Sequence, residues 1–504
     1  MENINQIYII NPNYILKNDQ YRVYLTYRYN PNMKIANDVD IQFFSYIHPE
    51  QAKIFALFDG ERTMSEVIDI IAEKLNISRD RASELIEPYI ENKKRLRVTF
   101  QNNNFAFPTY FLIPKKRDVE IYSYDQNSFD CSELDFINPR INLFPIDITL
   151  MVNTICKVDC IYCYADCRKK TDCQVPIETL DRLISDCRKN NVRSFNLMGG
   201  EVLLYKNWEW LVKKLMEYDY TPYISTKIPV EKNTVQIIYD LGIRLFQISL
   251  DSFDGNILEK NLNIPNGNKY IEKMEKTLKY FEELNIKLNI HAVITKNNND
   301  ISHLQQYLNR LSTFGNILNV QISIVGESLY KKGYSEHKLS REEVMKISDF
   351  INSARQKKIY PFTISISTGE LKETFIGNKN GKKRMYEKRG LCSANVMQAF
   401  ILPTGDVTIC EELMFNPQFI LGNLKNDDLA TIWKNNKLKS LGSADLYEFS
   451  PCGKCKEFAS CRGIEAKKGV CWKQVLHAYG ENNWNYPDPK CPYAPKKMNP
   501  FYIE

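Results

Sequence analysis

The chain has 504 residues, 43% of them hydrophobic and 25% charged, with 67 basic against 61 acidic residues and a formal net charge of +6. That length suits roughly three domains of ~150 residues each, and the composition is that of a soluble globular protein. The small basic excess makes no case for nucleic acid or membrane, though it permits an acidic peptide partner. No run of ~18 apolar residues is present, so no membrane-spanning helix is expected. The opening MENINQIYII lacks a basic segment followed by an apolar one. A cytoplasmic location with reduced thiols is the resulting expectation.

Residues 1–115 form a first unit. YILKNDQYRVYLTYR at 14–28 alternates about a polar Asn-Asp turn and predicts a hairpin. HPEQAKIFALFDG comes next, with Pro49 at a helix start and Gly60 at its end. TMSEVIDIIAEKL opens with Thr63 and Glu66 at capping-box spacing, and SRDRASELIEPYIENK supplies a third helix. RLRVTFQNNNFAF turns at Asn102–Asn104 into a second hairpin. Three short helices closed by a hairpin make a winged-helix pattern. Its second helix is acidic where a DNA-reading head would be basic, so no nucleic-acid partner is expected. Residues 116–144 are polar, lack a helical period and predict a linker.

From 145 to about 330 strands and helices alternate: IDITLMV, SFNLMG, PYIST, LFQISLD, LNIHAVIT and VQISIV are separated by amphipathic helices. The alternation predicts an α/β fold with a parallel sheet and right-handed crossovers. Six such units suit a partial (β/α)6 TIM barrel, with a bridging region through residue 384. Functional residues then belong at strand C-terminal ends. Residues 385–504 have little periodicity and seven cysteines, as expected of a segment stapled by metal.

The fourteen cysteines are clustered. In a chain with reduced thiols this suggests metal before disulfides. CKVDCIYC places Cys156, Cys160 and Cys163 on the loop after the first barrel strand. Three thiolates do not close a tetrahedral zinc site, although Cys167 would supply a fourth ligand. Soft thiolates also favour iron–sulfur clusters, and three of them on a [4Fe–4S] cube leave one iron open.

This loop strongly resembles the signature of the radical S-adenosylmethionine (SAM) superfamily. The resemblance implies that the open iron chelates the amino and carboxylate groups of SAM. It implies reductive cleavage of SAM to a 5′-deoxyadenosyl radical that abstracts hydrogen, with Tyr162 near the adenine. Gly199, Gly200 and Glu201 stand where the family has its Gly-Gly-Glu turn, with Val202 in place of the usual Pro. Glycines there let the backbone approach the SAM amino group, and Glu201 can accept from it. Ser225 and Thr226 fit the polar strand-three position. Ser249 and Asp251 fit the strand-four position near the ribose and methionine carboxylate.

The C-terminal cysteines resemble the SPASM domain, which implies two auxiliary [4Fe–4S] clusters and three clusters in all. Cys452, Cys455, Cys461 and Cys491 are the expected ligands of one. Cys392, Cys410 and Cys471 would hold the other, its fourth position left to Glu465, solvent or substrate. Glu465 stands where the family places a cysteine. The N-terminal unit, placed ahead of this pair, is similar to a PqqD-like precursor-recognition element. That implies capture of a ribosomal precursor peptide by strand addition to a hairpin edge beside the third helix, and an external electron donor of flavodoxin or ferredoxin type.

The expected product is a cysteine thioether (sactionine or ranthipeptide type) in the core peptide. Carbon–carbon or carbon–oxygen crosslinking (cyclophane type) is an alternative. So is epimerisation with Cys173 as hydrogen donor. An anaerobic sulfatase-maturase-like enzyme and an iron–sulfur or zinc DNA-binding regulator also fit parts of the pattern. Cys187 is expected in the core, Cys167 and Cys173 as lining of the peptide channel or as spare thiols, Cys131 without a role, and His291 facing the barrel interior or packed in it.

Overall fold

A computed structural model describes residues 4–28, 39–41, 43–117, 121–138, 140–368, 381, 386, 392–435, 443–462, 470–498 and 501–502. Strand β1 (Ile7–Ile10) precedes the first hairpin, β2 (Tyr14–Asn18) and β3 (Val23–Tyr27). The hairpin pairs antiparallel from Tyr14↔Tyr27 to Asn18↔Val23, and β4 (Phe44–Ile47) adds to its β3 edge.

Helix α1 (Pro49–Phe55) has Pro at its first position and His48 as N-cap. Strand β5 (Asp59–Thr63) leads into α2 (Met64–Leu75), where Thr63 and Glu66 form the expected reciprocal cap. Ser78 caps α3 (Arg79–Ile86). The second hairpin, β6 (Leu96–Phe100) with β7 (Asn103–Phe107), turns through Gln101 and Asn102, whose φ values are 46° and 64°. Asn tolerates that left-handed conformation, and Asn103 and Asn104 belong to β7. Strand β8 (Leu112–Pro114) completes a sheet of order β5-β1-β8. Composition had marked neither β1, β5 nor β8 as strands. Phe55, Tyr89, Phe107 and Phe111 pack mainly edge-to-face at 4.8–5.4 Å in the core of this unit.

Asp135, Asn138, Arg140, Asn142 and Leu143 of the segment read as a linker are held by the first hairpin. Arg22 and Asp19, both side chains 0% exposed, form an ion pair at 3.2 Å. Arg22 also donates to the carbonyls of Asp135, Asn138 and Arg140, while Asp19 accepts from the amides of Asn142 and Leu143. Arg140 lies 4.5 Å from the Trp433 ring and donates to the Trp433 carbonyl.

The expected strands and helices of the middle unit form. They are β9 (Asp147–Met151), α4 (Ile177–Lys189), β10 (Ser194–Met198), α5 (Trp208–Glu217), β11 (Ser225–Thr226), α6 (Lys232–Asp240) and β12 (Leu245–Ser249). After these come α7 (Gly255–Leu262), α8 (Gly267–Glu283), β13 (Lys287–Ile294), α9 (Ile301–Leu311) and β14 (Ile317–Ile324). A short α10 (Tyr334–His337) and α11 (Arg341–Gln356) then lead to a further parallel strand, β15 (Thr363–Ser367).

The ladder is not continuous. Strands β11 to β15 hydrogen-bond in sequence order as one sheet, and β10 pairs with β9 in another. Strand β11 is two residues long and, among the described residues, pairs with β12 alone. On the far side of β9, β16 (Gln398–Ile401) joins in parallel, with β17 (Asp406–Thr408) and β18 (Ile420–Asn423) added antiparallel beyond it. The C-terminal segment is thereby built into the same sheet as the loop bearing Cys156, Cys160 and Cys163.

Candidate active site and cysteine centres

Strand β9 ends at Met151, and Asn153 then directs the chain. Asn153 is fully buried. Its Oδ1 accepts from the amides of Ile155 (3.2 Å) and Glu201 (3.3 Å), its Nδ2 donates to the Glu201 carbonyl (2.9 Å), and its own carbonyl accepts from Gly200 (2.8 Å). One asparagine therefore ties the start of the cysteine loop to the Gly-Gly-Glu turn. A Cβ on Gly200 would lie 2.3 Å from the Ile155 carbonyl oxygen, and one on Gly199 would lie 2.9 Å from Asn153 Oδ1. The glycines thus let two protein loops touch, a requirement distinct from the ligand approach expected of them.

Cys156, Cys160 and Cys163 line one cavity of about 690 Å³, with Gly199, Gly200 and Glu201 on its wall. That volume lies within the ~300–1,000 Å³ usual for small-molecule sites. Burial pushes the Cys156 thiol up and the Cys160 thiol up to about 12. They are free thiols, as are all fourteen cysteines. Among the described residues no three His, Cys, Asp or Glu side chains converge on a single metal ion. A cube gives each iron its own thiolate, so its ligands stand around a cavity instead of meeting at a point. The three cysteines stand in that way, and the donor set fits an iron–sulfur cluster better than a zinc ion.

Glu201 is 2% exposed. Burial raises its pKa to about 7, against hydrogen bonds from the Lys227 amide (3.1 Å), Thr226 Oγ1 (2.9 Å) and the Leu203 amide (3.4 Å). Ser225, Thr226 and Ser249 line the same cavity, as do Tyr162 and His291. His291 Nε2 is 2.9 Å from Ser323 Oγ, and burial lowers its pKa.

Asp251 is not on this wall. Its side chain is 0% exposed and sits behind Lys227 and Tyr162. The Tyr162 hydroxyl donates to it, Lys227 Nζ reaches both its oxygens at 3.2 Å, and the Val293 amide donates at 3.0 Å. Its acceptor capacity is taken up by these partners within the protein. Tyr162 is likewise held by its hydroxyl, with Lys227 Nζ donating to that oxygen at 2.9 Å.

Sequence reasoning missed Lys227 although it sits beside Ser225 and Thr226. It also missed Asn153, two residues beyond β9, and the far wall formed by Glu327, Glu411, Glu412 and Lys473. Lys473 pairs with Glu412 at 3.0 Å and His477 with Glu327 at 3.2 Å. Burial, then Glu412, raises Glu411 to about 7.

Cys452, Cys455, Cys461 and Cys491 line a second cavity of about 50 Å³ with Tyr386, whose hydroxyl is 3.4 Å from Cys461 Sγ. Cys392 and Cys410 pack against the cluster of Leu413, Met414 and Phe419. Burial pushes the Cys410 thiol well up, with Glu412, Glu411 and Cys471 adding to it. Glu465 lies outside the described residues. Cys187 is core, as expected. Cys167 lines the large cavity, whereas Cys173 lies away from it, beside Tyr205.

Residues 150–308 match the radical SAM superfamily and residues 392–456 match SPASM, an iron–sulfur cluster-binding domain. The chain is 29% identical over 174 residues to GTP 3′,8-cyclase of Rhizobium leguminosarum, covering 32% of this chain and 48% of the cyclase. It thus spans about half the length of that relative. It is 22% identical over 331 residues to mycofactocin maturase MftC of Mycobacterium tuberculosis, covering 63% of this chain and 78% of MftC. Crystal structures of Streptococcus suis SuiB share the fold at 15% identity. The one bound to S-adenosylmethionine gives a TM-score of 0.62, covering 96% of this chain and 99% of SuiB, and another holds the precursor peptide SuiA. The two matched segments give the resemblance its class: over them the chain is similar to radical SAM proteins and to SPASM iron–sulfur domains.

Proposed function

We propose that the enzyme modifies a ribosomal precursor peptide. The observation that carries this reading is the composition of the large cavity. Cys156, Cys160, Cys163 and Glu201 face it from the middle unit, and Glu411, Glu412 and Lys473 face it from the C-terminal segment. Such a cavity admits a cofactor and a substrate side chain together. SuiB, of the same fold over nearly the whole chain, binds a precursor peptide, and MftC is a maturase.

Cys156, Cys160 and Cys163 would hold a [4Fe–4S] cluster, with Tyr162, Gly199, Gly200, Glu201, Ser225, Thr226 and Ser249 around bound SAM. Cys452, Cys455, Cys461 and Cys491 would hold a second cluster. Cys392, Cys410 and Cys471, with Glu465 as a candidate ligand, would hold a third. Together these groups would supply hydrogen abstraction, driven by an electron from an external donor of flavodoxin or ferredoxin type, and a route for the electron that leaves the substrate radical. The protein's own part is to bind the peptide, keep bulk water from the cavity and fix the abstracted position.

Residues 1–115 would act as a PqqD-like winged-helix recognition element. In support, β6 pairs only with β7 among the described residues, which leaves an edge for strand addition. Tethering there raises the effective concentration of the core peptide at the cavity. We favour a cysteine thioether as product and a cytoplasmic location. Co-expression with a leader-bearing peptide tests this by mass spectrometry. A loss of two hydrogens that disappears when residues 1–115 are deleted is the expected result. An unmodified peptide, or modification indifferent to the deletion, refutes leader-guided maturation.

A further inference from the structure

Lys227 holds a position that neither its motif nor the superfamily pattern assigned. Its ammonium is inside the protein but not sealed, with the side chain 17% exposed, and it lines the large cavity. An ammonium carries three donors. Tyr162 takes one at 2.9 Å, and the Asp251 carboxylate, bridged at 3.2 Å on each oxygen, takes another. One donor remains. The backbone of the same residue is also fixed: its amide donates to Glu201 Oε2 at 3.1 Å, and its carbonyl accepts from the Tyr270 hydroxyl at 2.6 Å.

Glu201 and Lys227 both line this wall, and the Lys227 backbone amide ties the two together through Glu201 Oε2. Lys473 is the other cation lining the cavity, and it is engaged by Glu412. A fixed acceptor and a fixed cation on one wall complement the amino and carboxylate groups of an α-amino acid. The buried Asp251 keeps the lysine charged and in place, so the charge facing the cavity is the lysine's and not the aspartate's.

We propose that Lys227 is a cofactor-binding residue whose ammonium, clamped by Asp251 and Tyr162, receives the carboxylate of the methionyl group of SAM. The inference rests on the radical SAM reading. It adds Lys227 to the region of the ribose and methionine carboxylate where the resemblance puts Ser249 and Asp251.

The test compares SAM with decarboxylated SAM, binding each to the cluster-loaded full chain by equilibrium dialysis. Lys227→Met is expected to raise the Kd for SAM at least tenfold, since a charge-assisted hydrogen bond is lost. The same variant should leave decarboxylated SAM within about twofold, and Lys227→Arg should restore SAM to within about threefold. An unchanged SAM Kd in Lys227→Met, or an equal loss for both ligands, overturns the assignment. Lys227→Gln, which keeps hydrogen bonding without charge, runs in parallel; loss of iron from both neutral variants would show a role in the fold alone and also overturn it. A wild-type chain that loads iron but binds neither ligand would instead refute the radical SAM reading beneath it.

Discussion

Gly200→Ala is the smallest change that should separate the cysteine loop from the Gly-Gly-Glu turn. The new Cβ would meet the Ile155 carbonyl oxygen at 2.3 Å, its carbon at 2.5 Å and its nitrogen at 2.8 Å. All three are backbone atoms, so no side chain can swing aside. Ordinary contact begins near 3.4 Å, which requires the loops to part by about 1 Å, and overpacking of this kind costs ~1–3 kcal/mol. The displacement also strains the hydrogen bonds that Asn153 makes to Gly200 and Glu201. A misplacement of about 1 Å around a reacting site can cost about 100-fold in rate. Gly200→Ala is therefore expected to retain its iron but to lose roughly that factor in SAM-dependent turnover, with weaker SAM binding by dialysis. Gly326→Ala is the control. Gly326 lines the same cavity, yet a Cβ there meets nothing within 4 Å, so turnover should not change. Wild-type SAM affinity and turnover in Gly200→Ala would refute the loop-contact reasoning.

Other outcomes depend on single named groups. The folded-state pKa of Glu201, about 7, lies above its ordinary value of 4.5, so its contribution to stability is lost as pH rises between those values, ~1.4 kcal/mol per unit or about 3 kcal/mol in all. Glu201→Gln should raise the thermal midpoint at about pH 8 and not at about pH 4, while SAM binding, which needs the carboxylate, weakens. Arg22→Met strands Asp19 as an unpaired buried charge and should destabilise the chain by ~3–5 kcal/mol, read as faster proteolysis in the 121–143 segment. Adding Asp19→Asn should recover part of that loss. Cys452→Ser, Cys455→Ser, Cys461→Ser and Cys491→Ser should each lose about four irons per chain by metal analysis, and Cys187→Ala none.

Much of this architecture could be anticipated where the determinants are local. The Thr63–Glu66 cap, the 14–28 hairpin and the helix periods depend on neighbours a few residues away, and they form where expected. Strands β1, β5 and β8 are three to five residues long and exist because distant segments pair with them. The same holds for β16, whose partner β9 lies some 250 residues earlier. The polar segment at 116–144 carried no sign that buried Arg22 anchors it, because that anchor lies in another hairpin.

At the site, cysteine spacing marked the residues that share the large cavity, and the turn residues fell beside them. Lys227, which no motif marked, lines the cavity, and Asp251 lies behind it. A motif tells which strand end a residue occupies, but whether aspartate or lysine faces the cavity is settled by packing against Tyr162 and Val293.

The most direct test of the central claim is electron paramagnetic resonance of the anaerobically reconstituted, reduced full chain with and without SAM. A cluster at Cys156, Cys160 and Cys163 with one open iron predicts that SAM shifts the reduced-cluster spectrum. It also predicts that the shift vanishes when these three cysteines become alanine, while iron at the C-terminal cysteines is retained. A spectrum unmoved by SAM in the wild-type chain would contradict the account.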